Sequence, residues 1–212
     1  MYLPEHFRVD EIPVLHEAIR ACRLATLVTM NGGVITASHV PMMLDPEPAP
    51  YGTIHCHLAR ANGQWRDADP DTDALAIFQG PDAYITPTWY AAKRETGKVV
   101  PTWNYVAVHA YGRVRFFDDA ERLRALVTRL TQMHEAERPA PWAVTDAPAA
   151  YIDAMLKAIV GVELPISRLE GKWKLNQNRQ DSDIEGVIAG LETSAREGDR
   201  AVAAAMAAMK KL

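Results

Sequence analysis

The sequence contains few of the features that mark secreted or membrane proteins. Only two cysteines, Cys22 and Cys56, occur among its 212 residues, which excludes a disulfide-stapled secreted domain. No apolar run approaches the ~20 residues that a membrane-spanning helix needs. The first residues include the acidic Glu5 and no apolar stretch, so they do not read as a secretory signal. We therefore expect a cytoplasmic protein with free thiols and no membrane partner.

An excess of positive charge is also missing. The chain has 23 Lys and Arg against 27 Asp and Glu, and its net charge is −4. Proteins that hold nucleic acid contact the phosphates with clustered Lys and Arg, and no helix-turn-helix pattern is evident. The charge balance therefore argues against nucleic-acid binding as the main task, and it leaves direct DNA binding open only through a local basic patch.

Short strand-like segments dominate the first half of the chain. Apolar residues make up 48% and charged residues 24% of the sequence, which is typical of a folded globular protein. A helix is predicted over 10–22, because its apolar residues recur every three or four positions. The segment Asn31-Gly32-Gly33 is typical of a hairpin turn between two strands. The strands predicted in this half are 24–30, 34–44, 51–58, 74–79 and 84–86.

The second half begins with a long strand and continues with helices. Side chains alternate along the strand predicted over 105–117, and every second residue, from Val106 to Phe116, lies on a face that is expected to meet the core. Asp118 and Glu121 form a capping-box-like start for a helix over 119–134. The other predicted elements are a helix over 149–158, a strand hairpin over 159–175 that bends near Glu170-Gly171, and helices over 182–211 interrupted near Gly198.

These elements predict a mainly β protein with appended helices (α+β). Strands joined by hairpins, with helices at the start, middle and end of the chain, are typical of an antiparallel barrel or curled sheet. A Rossmann sheet is not expected, because the sequence has no G-x-G-x-x-G motif and its first hundred residues do not alternate strands with helices.

One of the predicted strands carries two histidines on one face. Because side chains alternate along a strand, His55 and His57 point to the same side, and His39 or His109 could complete a metal site. No C-x-x-C or H-E-x-x-H motif accompanies them, so we predict no metal. His57 leads into a turn with Arg60, and a strand that ends in a cationic turn with free backbone N–H groups suits a phosphate. A solvated turn is the equally weighted alternative.

Two polar and aromatic segments are candidates for a binding surface. Residues 86–105 combine aromatic rings, hydroxyls and cations, and residues 171–179 add lysines and amides. Loops of this composition are typical of ligand-binding surfaces. A contact between subunits is the alternative, and the two are compatible because ligand sites often form between subunits.

No catalytic group is readable from the sequence. Cys22 lies on the apolar stripe of the first predicted helix and is expected in the core rather than as a nucleophile. The acidic residues between Asp67 and Asp73 are expected to form a solvated loop, since they lack the glycine and closing glutamate of an EF-hand. The catalytic residues therefore stay unknown at this point.

Four segments together resemble the PaiB family of FMN-binding negative transcriptional regulators. They are MYLPEHF at the start, HCHLARANGQW from His55, the stretch from Ala76 to Gly112, and GKWKLNQNR from Gly171. The resemblance runs from the first residue to about residue 190, and the segment at 77–112 is long and specific.

The resemblance implies an antiparallel split β-barrel of the FMN-binding type, the group that contains pyridoxamine 5′-phosphate oxidase. In that group two protomers pack their barrels together and bind FMN in grooves at the interface, so a homodimer is implied. The implied domains are a split-barrel FMN-binding domain over 1–180 and a helical extension over 181–212, packed on the barrel or on the partner.

The resemblance also implies which residues line the FMN groove. In split-barrel oxidases the turn after the third strand holds the flavin phosphate, and a late tryptophan and a basic residue approach the flavin. The implied groove residues are His57, Arg60, Asn62 and Gln64 in the turn, Trp89, Lys98, Thr102, Trp103 and Asn104 in the family's signature loop, and Trp173 and Lys174 near the end. The Arg- and Lys-rich phosphate motif and the late Arg-His pair of the oxidases are not clearly present, so pyridoxal phosphate synthesis is not implied.

Three functions follow, in order of preference. The first is a dimeric FMN-binding negative regulator of transcription of the PaiB type. The second is a flavin-dependent oxidoreductase of the pyridoxamine-phosphate-oxidase-like group that acts on a small molecule. The third is a split-barrel haem-binding protein, for which the candidate ligands are His39, His55, His57 and His109.

Overall fold

The computed structural model describes residues 1–209 and shows antiparallel sheets accompanied by helices. The strands are, in chain order, β1 (Arg8–Val9), β2 (Leu24–Asn31), β3 (Val34–Pro41), β4 (Met43–Asp45), β5 (Thr53–Ala59), β6 (Ala74–Ile85), β7 (Thr102–Gly112), β8 (Arg115–Phe117), β9 (Ile159–Pro165) and β10 (Arg168–Lys174). The helices are α1 (Ile12–Ala21), α2 (Gln64–Asp67), α3 (Ala92–Glu95), α4 (Ala120–Glu135), α5 (Ala149–Leu156), α6 (Asp181–Glu192) and α7 (Glu197–Met209). The prediction of an antiparallel, mainly β protein with helices is confirmed.

The chain divides into two compact units. The central unit contains Ile19–Phe78 and His109–Leu169. The terminal unit contains Met1–Ala18, Gln79–Val108 and the described residues from Glu170 onward. In the part of the chain that the structure describes, no sheet closes into a barrel, and no helix is both long and apolar enough to cross a membrane.

The central unit contains the predicted hairpin and a second, four-stranded sheet. Strands β2 and β3 pair antiparallel from Leu24↔Pro41 to Asn31↔Val34, and the turn glycines Gly32 and Gly33 have φ of 54° and 85°. Glycine reaches such positive φ at no steric cost. The second sheet has the order β4-β5-β9-β8. Helices α4 and α5 pack through an apolar cluster of Leu123, Val144, Ile152 and Leu156.

The terminal unit contains strand β1, most of β10 and β7, and the later part of β6, which are neighbours in that order. Strand β1 pairs with β10 at Arg8↔Lys172 and Val9↔Gly171. A Cβ at Gly171 would overlap the Leu15 side chain of α1, so this glycine permits close packing of the helix. Helices α6 and α7 complete the unit and bury Val187, Leu191 and Met206.

Strand β6 is longer than predicted. Two strands were predicted, over 74–79 and 84–86, but the structure has one strand of 12 residues that runs through Gly80-Pro81. The pairing with β2 covers only Leu75–Ile77, so Pro81 lies beyond it and costs no ladder hydrogen bond there. A Cβ at Gly80 would lie 3.1 Å from Val106 Cβ, and the missing side chain lets the chains approach.

Two predicted strands are each divided in the structure. The strand predicted over 34–44 ends at Pro41, after which the chain enters the four-stranded sheet as β4; proline has no N–H with which to extend the ladder. The strand predicted over 105–117 is divided between β7 and β8. A Cβ at Gly112 would overlap the Pro165 carbonyl, so the strand ends where the backbones approach closely.

The predicted hairpin over 159–175 is wrong in its bend and its pairing. The chain turns at Ile166-Ser167, and β9 and β10 belong to different sheets. Ser167 donates from its backbone N–H and its hydroxyl to the Tyr111 carbonyl, at 2.8 Å and 3.1 Å. These two hydrogen bonds hold the turn at Ser167. The predicted bend at Glu170-Gly171 instead lies within strand β10.

The helices largely follow the prediction, with corrections at their ends. The N-cap of α4 is Asp119, whose carboxylate accepts a hydrogen bond from the Arg122 backbone N–H at 2.9 Å, rather than Asp118. The helical segment over 182–211 is interrupted at residues 193–196, where Ser194 accepts from the Arg196 backbone N–H, and not near Gly198. Residues 210–212 of that prediction, and of the predicted extension over 181–212, lie outside the described residues.

Candidate functional site

The ends of β7 and β10 bring three of the predicted groove residues together in the terminal unit. Lys174 donates through Nζ to Thr102 Oγ1 at 2.5 Å and to the Trp103 carbonyl oxygen. An ammonium group has three hydrogens. Within residues 1–209 these two bonds are the ones it makes to the protein, so one N–H remains for a ligand.

An exposed aromatic pair also lies at the start of β7. The side chain of Trp103 is 48% exposed and that of Tyr84 is 46% exposed, and their ring centroids are 6.0 Å apart with an interplanar angle of 68°. Large aromatic rings are usually covered in a folded protein. We call Tyr84, Thr102, Trp103 and Lys174 the Trp103 cluster. Tyr84 was not predicted as a site residue, because its relation to Trp103 depends on how β6 and β7 lie in the sheet.

The charge of Lys174 is held in an unfavourable environment. Burial lowers the pKa of its ammonium group, and the nearby charge of Lys172 lowers it further. Lys172 is itself buried and donates to the Tyr2 carbonyl at 2.8 Å. An anion placed beside Lys174 would oppose both effects, so the cluster favours a negatively charged ligand.

The other predicted groove residues of the terminal unit lie in different surroundings from the Trp103 cluster. The ring of Trp89 contacts α6 so closely that a Cβ at Gly190 would overlap it. Asn104 is fully buried, and its Nδ2 lies 3.4 Å from Met206 Sδ. Trp173 is buried and Lys98 is exposed. A direct contact of these four side chains with a cofactor stays a prediction.

In the turn after β5, in the central unit, the Arg60 guanidinium is hydrogen-bonded to backbone carbonyls of the protein. Arg60 donates through Nε to the Lys157 carbonyl at 2.8 Å and through Nη2 to the Ile159 carbonyl at 3.1 Å. Its Nη1 also lies 3.5 Å from Asp118 Oδ2. The guanidinium therefore joins the end of β5 to the start of β9.

The amides of the same turn are likewise engaged. Asn62 donates to Ser38 Oγ at 2.9 Å and accepts from the Gln64 backbone N–H at 3.0 Å. The side chain of Gln64 is 2% exposed. Its Nε2 donates to the Leu27 carbonyl, Thr29 Oγ1 and the Thr36 carbonyl at 3.1–3.2 Å. These groups hold the turn against the β2–β3 hairpin, and their contact with a phosphate stays a prediction.

The four histidines considered for haem occupy separate surroundings in the central unit. His39 Nδ1 lies 2.9 Å from Thr26 Oγ1, His55 Nδ1 lies 3.9 Å from Glu163, and His109 Nδ1 lies 3.4 Å from the Tyr111 hydroxyl. Burial lowers the pKa of both His55 and His57. Among residues 1–209, no three His, Cys, Asp or Glu side chains form a group that could hold a metal ion.

The donor set of the Trp103 cluster fits the chemistry of FMN. FMN combines a large planar ring with a dianionic phosphate and electron-rich ring oxygens, so it needs a flat apolar wall and charge-assisted donors. The cluster supplies an exposed indole, a second aromatic ring, a hydroxyl and an ammonium hydrogen. This part of the chain therefore contains both kinds of group.

Comparison with known proteins agrees with this chemistry. The family model described as "Putative FMN-binding domain" matches residues 1–168. The Bacillus subtilis "Protease synthase and sporulation protein PAI 2" is 32% identical over 192 residues, which cover 91% of this chain and 89% of that protein. An uncharacterized Aspergillus fumigatus protein is 35% identical over an alignment that covers 91% of each chain.

Two solved structures show the fold. The FAD and haem binding protein from Mycobacterium smegmatis has a TM-score of 0.59 at 16% identity, over 84% of this chain and 78% of that chain. The conserved hypothetical protein Rv2991 from Mycobacterium tuberculosis has a TM-score of 0.57 at 13% identity, over 84% and 92%. At these identities the likeness concerns architecture alone, and it confirms the predicted split-barrel fold.

Proposed function

This chain belongs to the PaiB family of FMN-binding proteins, and from that premise we propose that it is a homodimeric, FMN-holding negative regulator of transcription. FMN is the cofactor of the family. The finer parts of the proposal are the site of FMN on this chain, the dimer and the regulatory role.

The Trp103 cluster is the observation that carries the proposed cofactor site. Trp103 offers its exposed indole as a wall for the flavin ring system, and the ring of Tyr84 meets that indole at an angle of 68°. Lys174 and Thr102 offer an ammonium hydrogen and a hydroxyl to a negatively charged part of the cofactor. When bound, FMN supplies reversible electron transfer at its ring, and the cluster orients the ring and shields one side of it from water.

The exposed edge strand β3 supports the proposed dimer. It is the last strand of its sheet, and Val34 and Ile35 are 67% and 69% exposed. Met30 on β2 is exposed as well. An edge strand offers free backbone groups, and exposed apolar side chains on such an edge are typical of an interface. A second copy of this chain would cover both.

The regulatory role is proposed to be indirect. Net charge is −4, which does not favour close contact with DNA phosphates. The Bacillus subtilis relative is named a protease synthase and sporulation protein. A cytoplasmic protein that changes its partner according to the state of its flavin fits both observations.

The proposal is tested first on the purified protein. We expect a yellow chromophore whose released mass is that of FMN, and a sedimentation mass of two copies. A protein that stays monomeric and does not bind added FMN would contradict the proposal.

Two further measurements separate regulation from its alternatives. We expect no shift of promoter DNA at low salt, because regulation is indirect; a salt-sensitive shift would replace the indirect mode with direct binding. Rapid bleaching of the flavin by NAD(P)H, followed by reoxidation in air, would favour the oxidoreductase over the regulator.

A further inference from the structure

A cavity region lies in the central unit, between α4, α5 and the end of β5. Two cavities of about 300 Å³ and about 230 Å³ share the side chains of His57, Val127, Thr131 and Trp142 and therefore form one groove. Pockets that bind small molecules start at a volume of roughly 300 Å³, so the groove is large enough for a compound of one or two rings. Its remaining walls are mostly apolar, with Leu130, Ile152, Met155, Leu156 and Ile159.

Trp142 is held at the groove by its backbone rather than by its ring. Its backbone N–H donates to Glu135 Oε2 at 3.1 Å, which ties the segment after α4 back to the end of that helix. The indole itself is 46% exposed. A fixed backbone with an uncovered aromatic ring beside a cavity is suited to packing against a flat ligand.

Two imidazoles line the same groove and each has an unsatisfied nitrogen. His57 Nδ1 and His134 Nε2 are buried and have no hydrogen-bond partner within residues 1–209. Burial lowers the pKa of His57, so this ring is neutral at pH 7 and offers one donor and one acceptor. A histidine tautomer is normally fixed by the partner of one ring nitrogen, and these two nitrogens have no such partner within residues 1–209.

We propose that this groove binds a small, uncharged aromatic alcohol, with its ring against Trp142 and its hydroxyl hydrogen-bonded to an imidazole of the groove. A hydroxyl both donates and accepts, so it matches imidazoles whose tautomer is not fixed. An ionised ligand would lose its hydration among apolar walls, and the one carboxylate at the groove, Glu135, is already bonded to Trp142. The proposal does not depend on where FMN binds.

Three related probes test the proposal on the unmodified protein. They are 2-naphthol, naphthalene and naphthalene-2-sulfonate, and their dissociation constants are measured by calorimetry or equilibrium dialysis. We expect 2-naphthol to bind about tenfold more tightly than either relative, because naphthalene cannot hydrogen-bond and the sulfonate carries a charge. Equal affinities, or tighter binding of the sulfonate, would overturn the proposal.

Variants then locate the binding. Trp142→Ala should weaken the binding of 2-naphthol about tenfold through loss of the aromatic contact. His57→Leu and His134→Leu are measured separately, and the variant that lacks the bonding imidazole should lose most of the advantage of 2-naphthol over naphthalene. His6→Leu is the matched control, because His6 is exposed and lies in the terminal unit. If both His57→Leu and His134→Leu keep the preference for 2-naphthol, the proposal is overturned. Should a variant fail to fold, shifts of the histidine ring resonances on adding 2-naphthol to the unmodified protein give the same answer.

A final measurement separates this groove from the proposed cofactor site. The titration is repeated with saturating FMN, and we expect an unchanged dissociation constant for 2-naphthol. Release of FMN by 2-naphthol would overturn the proposal, because the groove would then belong to the cofactor. A protein that binds no FMN still gives a readable titration, so the two proposals can fail independently.

Discussion

Contacts with FMN were predicted both for Thr102, Trp103 and Lys174 of the Trp103 cluster and for the turn after β5, and the two regions direct their hydrogen-bond donors differently. In the cluster, Lys174 keeps one ammonium hydrogen and Trp103 keeps an exposed ring. In the turn, Arg60 and Gln64 direct their donors to carbonyl groups of the same unit. A cation or an amide in a signature motif is therefore a candidate ligand contact only when the fold leaves its donors free.

The largest expected effect tests the structural side of this comparison. Gln64→Leu removes a buried side chain whose Nε2 makes two buried hydrogen bonds and one half-buried hydrogen bond, and we expect the free energy of unfolding to fall by about 3 kcal/mol. Urea unfolding followed by circular dichroism measures it. The control is Gln79→Leu, at an exposed glutamine, with a change within about 0.5 kcal/mol. Similar losses in both variants would remove the distinction.

The next prediction tests the ligand-binding side. Lys174→Met removes the ammonium hydrogen offered to FMN, and we expect the dissociation constant of FMN to rise about tenfold, since a charge-assisted hydrogen bond contributes ~1.5 kcal/mol or more. Fluorescence quenching of FMN measures it. Lys93→Met is the matched control, because Lys93 also donates to a threonine hydroxyl, Thr88 Oγ1, in the same unit. Equal affinities of the two variants would show that the cluster does not hold the cofactor.

Arg60 could serve the fold, as Gln64 does, or bind FMN, as proposed for Lys174. If its guanidinium serves the fold alone, Arg60→Met lowers the free energy of unfolding by about 1–2 kcal/mol, through loss of the bonds to the carbonyls of Lys157 and Ile159, and leaves the affinity for FMN unchanged. Unfolding and FMN titrations of the same preparation decide this. A tenfold loss of affinity at unchanged stability would instead support the phosphate contact that the family resemblance implies.

The smallest expected effect concerns pH. Burial lowers the pKa of His57 below its ordinary value of 6.5, so the unfolded chain binds this proton more tightly than the folded protein does. Stability contributed by neutral His57 is therefore present above pH 6.5 and is lost as the pH falls below it. We expect His57→Leu to flatten the stability profile on the acid side of pH 6.5.

The control for this profile is His6→Leu, at an exposed residue. Its unfolding free energy should follow that of the unmodified protein at each pH. A profile for His57→Leu that is as steep as the control would mean that the burial of His57 does not contribute to acid sensitivity.

The sequence was sufficient to predict those elements whose structure is determined by a few consecutive residues. The hairpin at Asn31-Gly32-Gly33 and helix α4 were predicted closely, because a turn that needs positive φ and an apolar stripe are both visible in a few consecutive residues. The α4 cap was displaced by one residue, since Asp118 and Asp119 are chemically equivalent in the sequence and only the backbone path distinguishes them.

Contacts between distant segments could not be predicted in the same way. Strand β6 continues through Gly80-Pro81 because its pairing with β2 has already ended, which no local pattern reveals. Tyr84 joins the Trp103 cluster, and Trp142 and His134 join the central groove, through packing of separate elements. The family resemblance implied that Thr102, Trp103 and Lys174 line the FMN groove, which stays a prediction, but it did not show which neighbouring donors the fold itself uses.

The close contact between Trp89 and helix α6 has a consequence for sequence variation. A Cβ at Gly190 would overlap the indole, and one at Gly186 would overlap the Trp89 carbonyl. An alanine at position 190 should therefore be accepted only in sequences that have also replaced the tryptophan with a smaller residue. Positions 89 and 190, about a hundred residues apart, are therefore expected to change together as the sequences of relatives diverge.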